Sequence, residues 1–383
     1  PLDVFVWLRF IKILVSKHIY IIAGEASGDL YGSKLLAALH AIDPELKVRG
    51  WGGEKMAAEG CALDVRYEEA SFMGFAEVIL NLRKIMGLFK LTKKSILRDK
   101  PDALVLIDYP GFNLRMAEWA KKNNIKVYFY IAPQAWAWKE NRVLKLKKYV
   151  DKLFIILPFE KEFFSRHGIN AYYFGHPLMH HIKEFKADPD FLKRNQLDER
   201  PVIALLPGSR KQEIKTMLKI FLQGLEDFKS YQLVIAGLPH HQELYQEIIE
   251  KSNIHCKVIY QETYNLLSIS KAALVTSGTA TLETALFGVP QIVCYKGNWI
   301  SYQIAKRLIK VKYISLVNLI ADQKIIEELI QDEMNPERIS YELTQLLEPQ
   351  KYQEIKNAYS ALHELLILPD TEKKIAEVIY HDL

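Results

Sequence analysis

The chain has 383 residues and a formal net charge of +5, and 49% of its residues are apolar and 25% charged. These totals are typical of a soluble globular protein with about two to three domains. The three cysteines are isolated in the sequence, which excludes a disulfide framework and indicates a reducing compartment. Apolar runs stay shorter than the roughly eighteen residues that a membrane-spanning helix needs.

Residues 1–17 are apolar but interrupted by charges, and we interpret them as an N-terminal extension. A strand is predicted at 18–23, followed by a glycine-bearing turn at 24–29 and a helix. This order opens a nucleotide-binding half-domain, but the turn lacks the G-x-G-x-x-G spacing of a dinucleotide site.

Three further apolar strands are predicted in the first half, at 103–107, 126–131 and 152–157. Such strands are expected where helices cover both faces of a parallel sheet. Their carboxyl ends form the edge at which open α/β sheets bind ligands. Asp108 follows the first of these strands, so we expect its carboxylate at that edge. A turn-forming aspartate ahead of Pro110 is the alternative.

A basic amphipathic pattern interrupts the alternation between residues 71 and 100. Its apolar positions, at spacings of four, three, four and three, predict one helical face: Phe75, Ile79, Leu82, Met86 and Phe89. With the surrounding lysines and arginines, this face suggests contact with a membrane surface; a core helix with a solvated basic face is the alternative. Nucleic-acid binding is not expected, because the net charge is low and no RNA-binding module is recognisable.

The second half is predicted to restart after a polar stretch at 180–200, with strands at 202–206, 232–236 and 257–260. Residues 271–295 then predict a strand, a turn, a helix and a last strand at 291–295, as in a parallel sheet with a crossover helix.

The turn Ser277-Gly278-Thr279 opens the helix of this unit. Unpaired backbone N–H groups and the positive end of the helix dipole favour an anion there, such as a pyrophosphate. Glu283 follows one turn later and can accept hydrogen bonds from hydroxyls such as those of a ribose. An ordinary capped helix is the alternative.

Helical patterns at 324–347, 352–366 and 371–383 close the chain. The predicted fold class is α/β, with two Rossmann-like parallel-sheet domains facing a cleft and C-terminal helices. We expect the first domain at 18–178 and the second at 179–349. Helices at 350–383 would pack back on the first domain or on a partner subunit; the sequence does not decide between a monomer and a homodimer.

A metal site is not expected. The D-x-D at 188–190 contains a proline that fixes the turn. The histidine pairs at 180–181 and 240–241 are adjacent in sequence, and adjacent side chains rarely converge on one ion.

Nine segments, in this order, resemble the bacterial lipid A disaccharide synthase family. They are GEASGDLYG at 24, SFMGFAEV at 71, IDYPGFN at 107, APQAWAW at 132, GHPL at 175, LLPGSRKQEI at 205, TSGTATLETALFGVP at 276, VNLIA at 317 and ELIQDE at 328. Single segments are weak, but the ordered set is specific. The chain departs from the family's pattern at Tyr109 and Gly111, where a small or acidic residue is frequent.

The resemblance implies a GT-B glycosyltransferase that inverts configuration and needs neither metal nor cofactor. It would transfer 2,3-diacylglucosamine from its UDP carrier to 2,3-diacylglucosamine 1-phosphate, giving the β(1→6) disaccharide precursor of lipid A. Members of the family work at the cytoplasmic face of the inner membrane as peripheral proteins. The first domain would bind the acceptor and lipid, and the second the UDP-sugar donor.

The resemblance also implies roles for particular residues. Asp108 is expected to be the general base for the acceptor 6-hydroxyl, with Glu25 and Asp29 as lesser candidates or helix caps. On the donor side we expect Arg210 at the leaving diphosphate, Ser277, Gly278 and Thr279 around phosphate, Glu283 at the ribose, and Asn318 and Gln331 near the donor. Taken alone, Asn318 is a loop cap and Gln331 an exposed helix residue. The acceptor and membrane residues would be Phe72, Met73, Phe75, Met86 and Phe89.

Two alternatives remain open at this point. A UDP-sugar 2-epimerase on the same fold would need no acceptor and no apolar surface. A non-catalytic nucleotide-sugar-binding module would leave Asp108 without a role.

Overall fold

The computed structural model describes residues 17–70, 81–137, 140–252, 254–297 and 311–383. Within these ranges the chain divides into two compact units, each built on its own parallel sheet. Unit 1 contains the chain up to Pro177 together with Leu368–Leu383, and unit 2 contains Leu178–Ile367.

Unit 1 alternates strands and helices. Its strands are β1 (His18–Ala23), β2 (Lys47–Gly52), β3 (Ala62–Arg66), β4 (Ala103–Ile107), β5 (Lys126–Tyr130), β6 (Lys152–Ile155) and β7 (Ala171–Tyr173). Its helices are α1 (Ala26–Ile42), α2 (Glu54–Ala58), α3 (Tyr67–Ala70), α4 (Leu82–Asp99), α5 (Pro110–Lys122), α6 (Arg142–Tyr149) and α7 (Glu160–Arg166). In the described residues the strand order is β3-β2-β1-β4-β5-β6-β7, and all neighbours are parallel.

Unit 2 has the same alternation. Its strands are β8 (Val202–Leu206), β9 (Gln232–Gly237), β10 (Cys256–Tyr260), β11 (Ser270–Thr276), β12 (Gln291–Tyr295) and β13 (Glu327–Ile330). The helices from the junction onward are α8 (Pro177–Glu184), α9 (Phe191–Arg194), α10 (Lys211–Gly224), α11 (Gln242–Ser252), α12 (Thr263–Ile269), α13 (Thr279–Leu286), α14 (Leu316–Ala321), α15 (Pro336–Leu347) and α16 (Pro349–Leu366). The strand order over the described residues is β10-β9-β8-β11-β12-β13, again parallel throughout.

The central strands explain why these sequences form parallel sheets. All five residues of β4 and all five of β8 are buried, because helices cover both faces of each sheet. The predicted pair of Rossmann-like domains with C-terminal helices is confirmed, and β1, β4, β8 and β12 have the predicted bounds.

One predicted helix is partly a strand. The helical pattern at 324–347 was wrong for its first part, because Glu327–Ile330 pairs in parallel with β12 as the edge strand β13. A four-residue strand is too short to show a two-residue period against the helical pattern that follows it.

The C-terminal helices contribute to both units. The hydroxyl of Tyr359 on α16 hydrogen-bonds to Gln291 of β12 at 3.2 Å, within unit 2. The last helix, α17 (Thr371–Asp382), packs against α1 of unit 1. There Tyr380 donates to Asp43 at 3.1 Å, and Tyr128 donates to Asp382 at 2.8 Å.

Candidate active site

A pocket of about 440 Å³ lies at the carboxyl edge of the unit 2 sheet. Its walls come from the turns after β8, β9 and β11. It brings together five of the predicted donor-site residues: Arg210, Ser277, Gly278, Thr279 and Glu283.

The turn after β11 presents a helix start to this pocket. Gly278 has extended backbone at φ 162°, and a Cβ added there would meet nothing within 4 Å. Ser277 donates its hydroxyl to the carbonyl of Ile314 at 3.1 Å, which fixes the turn. The first N–H groups of a helix have no partner within it, so the start of α13 can donate to an anion.

Glu283 lies one turn into α13, and Tyr264 donates a hydrogen bond to its Oε1 at 2.8 Å. Burial raises the pKa of the Glu283 carboxyl, and the hydrogen bond from Tyr264 opposes that rise. A carboxylate with one oxygen held by the protein keeps acceptor capacity for ligand hydroxyls. Sequence reasoning did not find Tyr264, because it lies on α12 with no motif around it.

Arg210 caps α10, with 62% of its side chain exposed at the pocket. Its Nη1 donates to Oε1 of Glu213 at 2.9 Å, and Oε2 of Glu213 accepts the Arg210 backbone N–H at 3.3 Å. Glu213 therefore offsets the unfavourable placement of a cation at a helix N-terminus. Gly208 adopts φ +101°, and a Cβ there would lie 2.7 Å from Oε2 of Glu213, so this turn requires glycine.

Asn318 and Gln331 do not line this pocket. All four hydrogen-bonding positions of the Asn318 amide are filled within unit 2. Its Nδ2 donates to Ile326 and Glu328 at 2.9 Å each, and its Oδ1 accepts from Ile325 and Ile326 at 2.8 and 3.1 Å. Asn318 thus holds its own loop together.

Gln331 differs from Asn318 in both strain and pairing. It follows β13 at the carboxyl edge with φ +55° and is 8% exposed, not an exposed helix residue. Its amide nitrogen is buried without a hydrogen-bond partner among the described residues. An unpaired buried donor on strained backbone is a feature found at binding sites.

In unit 1, Asp108 sits on strained backbone after β4. Asp108 and Tyr109 have φ +46° and +45°, which is uncommon for residues other than glycine. The turn is held by the Asp108 N–H, which donates to Tyr130 at 2.9 Å, and by Asn113, which donates to the Asp108 carbonyl at 2.7 Å. Strain of this kind persists where the surrounding structure enforces it.

The Asp108 carboxyl is poised to accept a proton near neutral pH. Burial raises its pKa to about 6, against the opposing effects of the Tyr109 backbone N–H and the charge of Arg142. A base with a pKa close to the working pH combines ionisation with proton affinity. Sequence reasoning missed Arg142, which lies far along the chain at the start of α6.

The two lesser candidates for the base differ in their hydrogen bonding. Asp29 is 3% exposed and accepts backbone N–H bonds from Gly53 at 2.6 Å and Met56 at 3.1 Å, so it caps α2. Glu25 follows β1, the neighbour of β4, and makes no side-chain cap to α1. Burial, and then the charge of Glu25, raises the pKa of Tyr109, which places Glu25 beside the Asp108 turn.

The prediction that Phe89 of α4 contacts the acceptor or the membrane is wrong. Phe89 is 8% exposed and stacks on Phe112 at 4.0 Å between ring centroids, so it belongs to the unit 1 core. Met86 is 52% exposed, as predicted for a surface residue. Phe72, Met73 and Phe75 lie outside the described residues.

The exposed side of α4 combines apolar and basic side chains. Its large exposed apolar residues are Leu82, Met86, Leu91 and Leu97. The exposed basic residues between them are Arg83, Lys84, Lys90, Lys94 and Arg98.

Within the described ranges, no group of three or more His, Cys, Asp or Glu side chains is placed to hold a metal ion. No helix in these described ranges is long and apolar enough to cross a membrane.

Comparison with solved structures shows the fold. The chain is similar to the UDP-GlcNAc 2-epimerase from Neisseria meningitidis bound to UDP-GlcNAc, with a TM-score of 0.58, 13% identity, and coverage of 96% of this chain and 98% of that one. It is also similar to the glycotransferase of kitacinnamycin, with a TM-score of 0.62, 13% identity, and coverage of 96% and 100%. Both share this two-domain GT-B architecture, so the fold alone does not separate their activities.

Comparison of sequences identifies the family of this chain. The family model described as lipid-A-disaccharide synthetase matches residues 19–379. The lipid-A-disaccharide synthase of Syntrophus aciditrophicus is 37% identical over 369 residues, covering 94% of this chain and 96% of that protein. The chain therefore belongs to the lipid-A-disaccharide synthase family.

Proposed function

We propose that this protein joins UDP-2,3-diacylglucosamine to 2,3-diacylglucosamine 1-phosphate and releases UDP. The observation that carries the proposal is Asp108 at the ligand edge of unit 1: its backbone is strained, its side chain is partly buried and the pKa of its carboxyl is raised. Family membership supplies the identity of the two substrates. The names of the relatives do not favour the 2-epimerase alternative, and a pure binding module would leave Asp108 unexplained.

The reaction needs one proton transfer and one displacement. Asp108 takes the proton from the acceptor 6-hydroxyl as its oxygen attacks the anomeric carbon of the donor sugar. The bond between that carbon and the UDP oxygen breaks, and UDP leaves with the electron pair. Attack from the opposite face inverts the configuration and gives the β linkage.

We assign donor binding to the 179–349 domain, at the pocket of unit 2. The α13 start at Ser277, Gly278 and Thr279 donates to the diphosphate, and Arg210 balances the charge that develops on it. Glu283 accepts from the ribose hydroxyls.

Two further donor-side assignments follow from the hydrogen-bond patterns of Asn318 and Gln331. We assign Gln331 to the UDP-sugar site, because its amide has no partner among the described residues and it follows β13 at the same carboxyl edge as the pocket. Asn318 acts indirectly. Its amide donates to Glu328, which also accepts the backbone N–H of Ile314, and the carbonyl of Ile314 accepts from Ser277.

We assign acceptor binding to the 18–178 domain and peripheral membrane contact to the exposed side of α4. Lys and Arg near an anionic surface contribute about 1 kcal/mol each, and exposed apolar side chains can enter the interface. This would place the protein at the cytoplasmic face of the membrane that holds its acylated substrates.

The direct test is replacement of Asp108. We expect Asp108→Ala and Asp108→Asn to lower turnover by about a hundredfold or more, as loss of a general base does. UDP binding, measured by calorimetry, should change little because Asp108 lies in unit 1. Near-normal formation of the disaccharide by both variants would reject the proposal.

A further inference from the structure

Glu160 is a buried carboxylate that the proposed mechanism does not use. It begins α7, close after β6, and is 1% exposed. Its Oε1 accepts the indole N–H of Trp136 at 3.0 Å. Its Oε2 accepts the backbone N–H groups of Ile156 and Leu157 at 3.2 and 3.0 Å. Three donors on one buried carboxyl are an arrangement suited to its ionised form.

The bond to Trp136 fixes one end of the loop at 131–137, which follows β5. The edge of the Trp136 ring also meets Phe159, at 4.9 Å between centroids and 86° between planes. The other end begins at Ile131, whose N–H donates to Phe154 of β6 at 3.0 Å. Ile131 has φ +65°, a strained conformation for a β-branched residue. Both ends of this loop are therefore tied to the β6–α7 segment.

The same loop adjoins the Asp108 turn. The Asp108 N–H donates to Tyr130, the residue just before the loop, at 2.9 Å. Burial raises the pKa of Glu160 to about 7, and the negative charge of Asp108 adds to that rise. The two carboxyl groups thus interact electrostatically at one edge of the sheet.

We propose that Glu160 is a positioning residue for glycosyl transfer, which through Trp136 fixes the 131–137 loop as a wall of the acceptor site beside Asp108. It holds the wall fully only when it is ionised. This inference rests on the proposed function, because it takes Asp108 as the base and the unit 1 edge as the acceptor site.

The dependence on ionisation follows from the hydrogen bonds. An ionised carboxylate accepts from all three N–H donors, whereas a protonated one gives up an acceptor position to its own hydrogen. Among the residues that the structure describes, Asp108 at the end of β4 and Tyr173 on β7 interact electrostatically with Glu160. The charge of Arg142, on α6, acts on Asp108. Of these groups, Glu160 and Asp108 change charge near neutral pH.

The test uses Glu160→Gln, Trp136→Phe and the double variant of the full chain, assayed with both acylated substrates. Glu162→Gln is the matched control, because Glu162 lies on the same helix, is 72% exposed and pairs with Arg166. We expect each single variant to lower kcat/KM for the acceptor about tenfold at about pH 8, the scale of one hydrogen bond to a charged group. Donor KM should be unchanged, and the melting temperature and near-ultraviolet circular dichroism should show that unit 1 remains folded.

Two further results separate positioning from a general loss of structure. The double variant should be no more than about twofold worse than either single one, because both remove the same bond. The advantage of the wild type over Glu160→Gln should shrink towards one at about pH 5.5, where the wild-type carboxyl is protonated and resembles glutamine.

Additive losses, a wild-type advantage that is constant with pH, or equal changes in donor and acceptor KM would overturn the inference. Should Glu160→Gln leave unit 1 unfolded, Trp136→Phe alone decides, since it keeps an aromatic side chain and removes the indole N–H: normal acceptor kcat/KM then refutes the proposal. Asp108→Asn, assayed in parallel, reports on the proposed function separately.

Discussion

The turn after β4 in unit 1 and the turn after β11 in unit 2 occupy equivalent places in their sheets but differ in strain and charge. Asp108 is held on left-handed backbone, with burial opposing its ionisation. The Ser277–Thr279 turn has extended backbone at Gly278 and opens onto a pocket of about 440 Å³ with an exposed Arg210.

The difference matches the two chemical tasks that we propose for these turns. A general base must resist ionisation enough to take a proton from an alcohol, and burial supplies that basicity. A diphosphate site must replace the hydration of a doubly charged group, which needs room, N–H donors and a cation.

Replacing Arg210 removes the cation from the unit 2 edge. We expect Arg210→Ala to lower turnover by about a hundredfold to a thousandfold and to weaken UDP binding, because the guanidinium is needed most as the leaving group gains charge. Lys211→Ala, at the neighbouring position, should have little effect. Steady-state kinetics and calorimetry measure both; equal effects of the two variants would show that Arg210 contributes only general positive charge.

Two substitutions in α4 test which side of this helix packs into the core of unit 1 and which side is on the surface. Phe89→Ala should lower the free energy of unfolding by about 3 kcal/mol or more, the cost of a cavity beside Phe112. Met86→Ser should leave the melting temperature almost unchanged, yet weaken binding to anionic vesicles and raise the KM for the acceptor. Vesicle binding that is insensitive both to Met86→Ser and to salt would contradict the membrane assignment.

Substitution of Asn318 should affect stability, whereas substitution of Gln331 should affect binding of the UDP-sugar. Asn318→Ala should lower the stability of unit 2 by about 2 kcal/mol, because it leaves buried loop N–H and C=O groups unpaired. Gln331→Ala removes an unpaired amide, so it should keep stability while raising the KM for the donor. Denaturant unfolding and donor kinetics check the pair; a destabilised Gln331→Ala with normal donor KM would show that Gln331 is structural.

Asp108 should stabilise the fold less as pH rises. Its folded-state pKa, about 6, is above the ordinary value of 3.8, so folding favours the protonated carboxyl. Its favourable contribution is complete below the ordinary pKa and is lost as pH rises through the folded value. Asp108→Asn, which cannot ionise, should therefore melt at a higher temperature than the wild type at about pH 8 and gain little at about pH 4. A gain of the same size at both values would place its cause elsewhere.

Most of the fold could be predicted because buried parallel strands are continuous apolar runs between glycine and proline turns. Which side chains of α4 are buried could not be predicted. Its buried side includes Thr92 and Ser95, which are polar by type, while Leu82 and Met86 remain exposed. Thr92 tolerates burial because its hydroxyl donates to the Leu88 carbonyl at 2.7 Å. A hydrophobic pattern cannot register that local hydrogen bond.

The residues that line the unit 2 pocket could be predicted where they lie in one short segment, as at residues 277–283. Contacts between side chains and partners far away in the sequence could not be predicted. Asp29 caps α2, whose N-cap residue Gly53 lies 24 residues further along the chain. Glu160 meets Trp136 from 24 residues away. Such pairings arise from strand order, which brings remote turns to one edge.

The pH dependence of transfer by wild type and Asp108→Asn shows whether Asp108 is the base. If Asp108 is the base, kcat/KM of the wild type should exceed that of the variant by about a hundredfold or more at about pH 8. That advantage should fall roughly tenfold per pH unit below the Asp108 pKa of about 6, as the carboxyl becomes protonated. An advantage that stays constant with pH, or one close to unity at about pH 8, would contradict the assignment of Asp108 as the base.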